Sequence, residues 1–216
     1  MQLDSEVINL SPMTERSKRM AAYEAIAALP EHLTGEFLNG ELIISSSPAG
    51  PHNRAAAGLT YLLFGQFDVS GNGPGGWWIS SEPELHLGED ILIPDLAGWR
   101  RERMSEPYAG AFATIAPDWI CEILSPSTVR VDRALKLPIY ARERVGHAWL
   151  IDPLARTLEV YRWEDGRWLL LTTFGGDVRV RAEPFDVVEL ALGTLWLPQK
   201  PLVPQGPDRR DGIAGG

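Results

Sequence analysis

The chain has 216 residues, 44% hydrophobic and 23% charged, and its 20 Lys+Arg against 29 Asp+Glu leave a net charge of −9. That is enough apolar material for one domain with a packed core, and it excludes a disordered acidic polymer. The acidic balance also excludes a protein that coats nucleic acid broadly, because such binding needs basic surface to displace counterions from phosphates. Residues 1–13 read as a flexible leader. Thr14 is placed to cap a helix running to Leu29, where Pro30 stops it. Glu36 to Ile44 reads as a hairpin, since Asn39-Gly40 is the strongest two-residue turn signal. Pro51 opens a second helix that runs to about Phe67. Strands are expected at Trp77–Ile79, Pro83–Leu87, Ile91–Trp99 and Asp118–Leu124, and a helix from Val129 to Arg144. A buried strand follows at His147–Asp152, then a hairpin pairing Thr157–Trp163 with Trp168–Phe174. Residues 198–216, rich in Pro and Gly, read as a disordered tail.

This order predicts an α/β (α+β) domain over 14–197, a mixed β-sheet flanked by helices with a C-terminal β-hairpin. There is no dinucleotide-binding GxGxxG, no phosphate-binding GxxxxGK[ST], no HExxH and no GxSxG string. One cysteine, Cys121, leaves no internal disulfide and no thiolate zinc centre. No run of about 18 apolar residues is present. The expectation is a cytoplasmic protein with no membrane partner.

Two acids stand out because their surroundings are apolar. Asp95 lies in ILIPDLAGW and Glu122 in DWICEILSP, runs expected to be strands covered on both faces. A carboxylate there is costly unless paired, hydrogen-bonded or holding a cation. On neighbouring strands the two would converge on a site for a hard cation such as Mg²⁺. The alternative is a pair of strand-end acids satisfied by Arg or backbone N–H groups. On the helix that follows, Asp132, Lys136 and Tyr140 share a face at i, i+4 and i+8. Lys136 is one of only three lysines, and it can lie over the end of the Glu122 strand or simply pair with Asp132 at the surface. Residues 126–147 hold Arg130, Arg133, Lys136, Arg142 and Arg144 against Asp132 and Glu143. Arg100, Arg101 and Arg103 follow the Asp95 strand, so a local basic patch facing a polyanion is expected.

The strings Pro94-Asp95, EILSPST at 122–128, Asp132-x-x-x-Lys136-x-x-x-Tyr140 and WLIDP at 149–153, with EFLNGEL at 36–42 and Pro51-His52, resemble the Uma-two endonuclease family. That family lies within the PD-(D/E)XK restriction-endonuclease-like superfamily, and the likeness spans about residues 14–197. The resemblance implies a restriction-endonuclease-like core and a Mg²⁺- or Mn²⁺-dependent endonuclease cutting phosphodiester bonds of nucleic acid, DNA first. The Trp-rich C-terminal hairpin adds the expectation of a homodimer, since a nuclease cutting both strands often needs two sites. By motif match Asp95 and Glu122 are the metal-binding acids and Lys136 the catalytic lysine. The superfamily usually has that lysine two residues after the second acid, where this chain has Leu124. Glu36 matches an acid that can assist the metal, and His52 matches a family histidine able to touch phosphate or water. Two alternatives stand beside this reading: a catalytically inactive interaction module that keeps the fold, and a hydrolase of a small phosphodiester.

Overall fold

The computed structural model describes residues 6–9, 15–46, 50–69 and 73–198. Most of the leader and tail, and the Thr14 cap, lie outside these residues. Within the expected leader, Glu6–Asn9 forms strand β1 and pairs antiparallel with β3. Helix α1 (Glu15–Ala27) precedes the hairpin β2 (Leu33–Leu38) and β3 (Glu41–Ser46). Asn39 and Gly40 turn that hairpin with φ of 52° and 85°, the positive pair a type I′ turn requires. Helix α2 (Gly50–Leu63) continues into a π-helical turn at Phe64–Asp68. Strands β4 (Trp77–Ser81), β5 (Leu85–Leu87), β6 (Asp90–Leu92), β7 (Leu96–Arg100) and β8 (Trp119–Ile123) follow.

A continuous helical segment then covers residues 129–142, built from α3 (Val129–Val131), a π-helical turn (Asp132–Lys136) and α4 (Leu137–Arg142). Strand β9 (His147–Asp152) and the hairpin β10 (Thr157–Glu164) and β11 (Arg167–Gly175) complete the main sheet. The short strands β12 (Arg179–Val180) and β13 (Leu190–Ala191) pair with each other, and a 3₁₀ turn at Leu192–Leu195 closes the described chain.

The strands form two principal sheets. One has the order β1-β3-β2-β6-β5 and the other β11-β10-β9-β8-β7-β4. In the six-stranded sheet β8 and β9 run parallel while the other pairs are antiparallel, so this is the mixed sheet expected. Residues alternate across it with period two. Trp119, Cys121, Ile123, Trp149 and Ile151 pack against α2 and Phe185 on one face. Ile120, Leu124, Ala148 and Leu150 pack against Val131, Leu137, Ile139 and Tyr140 on the other. Helices thus cover both faces, and all five residues of β8 are buried.

One expected strand is corrected. Ile91–Trp99 is two strands, β6 and β7, which belong to different sheets. Ile93, Pro94 and Asp95 cross between them outside any strand. The apolar run concealed the break; Pro94, which lacks an N–H to give a ladder, marks it. The strand expected at Pro83–Leu87 is shorter, starting at Leu85.

Candidate active site

The register of β7 against β8 pairs Leu96 with Cys121, so one residue further along Asp95 comes beside Glu122. Asp95 Oδ2 accepts the Ile123 N–H at 2.6 Å, which fixes the carboxylate at the sheet junction. Glu122 is the one charged residue of β8, 1% exposed, and it points to the face covered by the 129–142 helix. Lys136 Nζ reaches it at 3.0 Å, and Tyr140 donates its hydroxyl to Oε1 at 2.7 Å. The same ammonium lies 3.0 Å from Glu36 Oε1 and donates to the Ile93 carbonyl at 3.0 Å. Glu36 Oε1 also accepts the Ile93 N–H at 2.7 Å. Asp132 stands 3.8 Å from Lys136. These are not surface groups: Glu36, Glu122, Asp132 and Lys136 are each buried.

The electrostatics follow from one cation among four acids. Burial alone would lower the Lys136 pKa, but Glu122, Glu36, Asp132 and Asp95 outweigh it and hold the ammonium well above its ordinary value. Burial pushes the Glu122 carboxyl up, opposed by Lys136. Burial likewise lifts Asp132 to about 6, against the pull of Lys136. Tyr140 is raised by burial and by Glu122, so its proton stays on and it remains a donor.

His52, on the first turn of α2, places Nε2 3.0 Å from Asp95 Oδ1. Burial lowers its pKa, yet the hydrogen bond and charge of Asp95 prevail and raise it. Its Nδ1 is buried without a hydrogen-bond partner. Asp95, Glu122, Glu36, His52, Asp132 and Lys136 line a single cavity of about 470 Å³, with Ser125, Ser127 and Thr128 at one side. Of the seven candidate site residues, six therefore line this cavity, and Tyr140 donates to Glu122 from outside it. The sequence reading missed Glu82, which lines the cavity with a left-handed φ of 48°. Its only sequence signal was its place between β4 and Pro83. It also missed the Ile93 peptide, whose two backbone groups no side-chain pattern reveals.

The expected basic patch is corrected. Arg133 pairs with Glu159 at 2.6 Å, Arg142 with Asp90 at 2.5 Å, and Lys136 is buried in the cavity. Arg101 and Arg103 pair with Asp68 and Asp118, and Arg100 lies over the Trp77 ring. A local charge tally counts only acids near in sequence, whereas the neutralising partners Glu159, Asp90 and Asp68 come from distant parts of the chain. Arg130 and Arg144 remain exposed. His86 and His147 serve as structural partners of Glu84 and Glu183. Cys121 is fully buried, and burial raises its thiol pKa.

A mixed sheet covered by helices, with one acid on β8, a second at the crossing between β6 and β7 and a buried lysine beside them, is the arrangement of a restriction-endonuclease-like, nuclease-type domain. The chain belongs to the Uma2 family, described as "Putative restriction endonuclease", which it matches over residues 7–193. It is similar in fold to a crystal structure titled as a putative nuclease belonging to DUF820 from Anabaena variabilis. The two share 23% identity with a TM-score of 0.62 over 81% of this chain and 96% of that one. No curated protein matches it.

Proposed function

We propose that this chain is a divalent-metal-dependent nuclease that hydrolyses phosphodiester bonds in DNA. The observation that carries the reading is the arrival of Lys136, from a helix beyond the strand, at both Glu122 and Glu36 beside Asp95. Five acidic side chains against one ammonium and one imidazole leave the cavity short of positive charge. A phosphodiester brings a further negative charge, so a cation is needed before substrate enters.

Among the described residues no three His, Cys, Asp or Glu side chains are grouped to hold a metal ion. Asp95 and Glu122 alone, with water, suit Mg²⁺ or Mn²⁺, which are commonly held by one or two carboxylates. A cation bound there supplies Lewis-acid polarisation of the phosphoryl group and activates water. The chain's own groups supply the rest. Ile123 N–H and His52 orient the two oxygens of Asp95. Tyr140 and Lys136 orient those of Glu122. Glu36 anchors Lys136, which brings permanent positive charge to where phosphate oxygens gain negative charge.

The test is cleavage of plasmid and single-stranded DNA with Mg²⁺ or Mn²⁺ by the wild type and Asp95→Asn. The substitution keeps side-chain shape, and a loss of at least about 10²-fold is expected. Equal cleavage by both proteins removes the assignment. One observation favours a non-catalytic module: all three N–H groups of Lys136 already have partners, in Glu122, Glu36 and the Ile93 carbonyl. Calorimetric Mn²⁺ titration separates the readings, since the nuclease binds the ion through Asp95 and the module does not.

A further inference from the structure

A second cavity, of about 520 Å³, lies outside the first and shares Asp95 with it. Glu82 also lines both, so the two cavities adjoin at these acids. The outer part runs between α2 and the end of β4. Its floor is Ala56 and Ala57, and one wall is Thr60, whose hydroxyl lies 3.3 Å from that of Ser81. Tyr61 stands at its side with 77% of its surface exposed, the largest exposure of any large hydrophobic residue described. It stacks on no other ring among the described residues. Arg54, Ala57 and Tyr61 fall at i, i+3 and i+7 and share the solvent face of α2. Arg54 is exposed and makes no ion pair among the described residues.

We propose that this outer groove seats an unpaired nucleotide next to the phosphodiester that is cleaved, its base stacked on Tyr61. The inference rests on the nuclease reading and adds the form of the substrate. Three observations carry it. The groove shares Asp95 and Glu82 with the acid cavity, so a strand whose phosphate lies at Asp95 has the groove directly beside it. Small side chains beneath a bare aromatic ring leave room for a flat ring to lie against it. The electrostatics favour stacking as well: most arginines near the site are held by acids, so a broad phosphate grip is missing. Base–aromatic stacking supplies affinity that owes nothing to net charge. Arg54, two turns from Tyr61, is the cation available for a flanking phosphate. A base inside a duplex has both faces covered by its neighbours, so the site takes a nucleotide from a single strand, a flap or a frayed end.

The experiment measures fluorescence anisotropy of labelled oligodeoxyuridylate and oligouridylate, and of the same deoxy strand in duplex, with Ca²⁺ present. The proteins are the wild type, Tyr61→Ala, Tyr61→Phe and, as a control on another exposed apolar residue, Leu154→Ala. Wild type is expected to bind the single strands more tightly than the duplex, and the tighter of the two single strands identifies the sugar. Tyr61→Ala should weaken single-strand binding about 5- to 150-fold, while Tyr61→Phe and Leu154→Ala bind as wild type. Equal binding by wild type and Tyr61→Ala overturns the stacking site and leaves the nuclease reading intact. Failure of wild type to bind or cleave any strand overturns both. If Tyr61→Ala instead abolishes self-association and spares oligonucleotide binding, the groove belongs to a second copy of the chain and the proposal fails.

Discussion

Lys136 is the residue on which the site turns, and its burial makes it structural as well as chemical. Removing one partner from a buried ion cluster leaves the others uncompensated, typically at a cost of about 3–5 kcal/mol. Lys136→Met should therefore lower the unfolding free energy by about that amount in denaturant titration, besides abolishing cleavage. Asp132 behaves in the opposite sense. Its folded pKa of about 6 lies above the ordinary 3.8, so the fold favours the protonated carboxyl. The stability it contributes is fully present below about pH 4 and is lost as pH rises through 6. Asp132→Asn should then be more stable than wild type at pH 7.5, by at most about 3 kcal/mol, with the difference shrinking toward pH 5. Paired thermal melts at the two pH values measure it. Asp95 and Glu122 stood out in the sequence because a charge inside an apolar run has few inexpensive explanations. Glu36 and His52 were not legible from spacing, since an acid on a hairpin strand and a histidine on a first helical turn look ordinary. Only the family strings pointed to them.

At the level of elements, the amphipathic face Asp132-Lys136-Tyr140 read correctly as one side of a helix, but the π-helical turn at Asp132–Lys136 did not. Nothing in residue types specifies an i→i+5 hydrogen bond, and the turn lies between Val131 and Leu137, which pack with Ile139 and Tyr140 against β8 and β9. The split of the Ile91–Trp99 run escaped notice for a related reason. Residues on both sides of the break are buried, and an apolar run does not say which sheet covers it. Helix α2, read almost to its observed length, carries His52 and the floor of the outer groove, so its seat matters to the site. A Cβ at Gly58 would lie 2.8 Å from the Thr194 carbonyl oxygen and 3.2 Å from Leu195. Gly58→Ala should push α2 off the 3₁₀ turn and cost about 1–3 kcal/mol in chemical denaturation. Divalent-ion affinity should fall with it, because His52 braces Asp95 from that helix.

For the molecule as a whole, −9 charges and a set of internal ion pairs set the terms on which a polyanion is met. A single strand held by one exposed arginine releases few counterions. The slope of log K against log[salt] for oligonucleotide binding is thus expected near −0.7, against several times that for a basic groove. Salt titration of the anisotropy signal reads it directly. The acidic cavity makes a second demand. On the proposed reading Mg²⁺ binds the folded state alone, so 100-fold excess over Kd should add about 2.7 kcal/mol of stability. In Asp95→Asn that gain should vanish. The Ile93 and Ile123 amides belong to this picture. Each gives its proton to a carboxylate of the site, Ile93 to Glu36 in the five-stranded sheet and Ile123 to Asp95 beside the six-stranded one. An amide proton so placed registers a change of charge on its acceptor as a change in resonance frequency. Two crosspeaks in one ¹⁵N-labelled sample would accordingly follow ion arrival from both layers of the protein, with no substrate present and no bond broken.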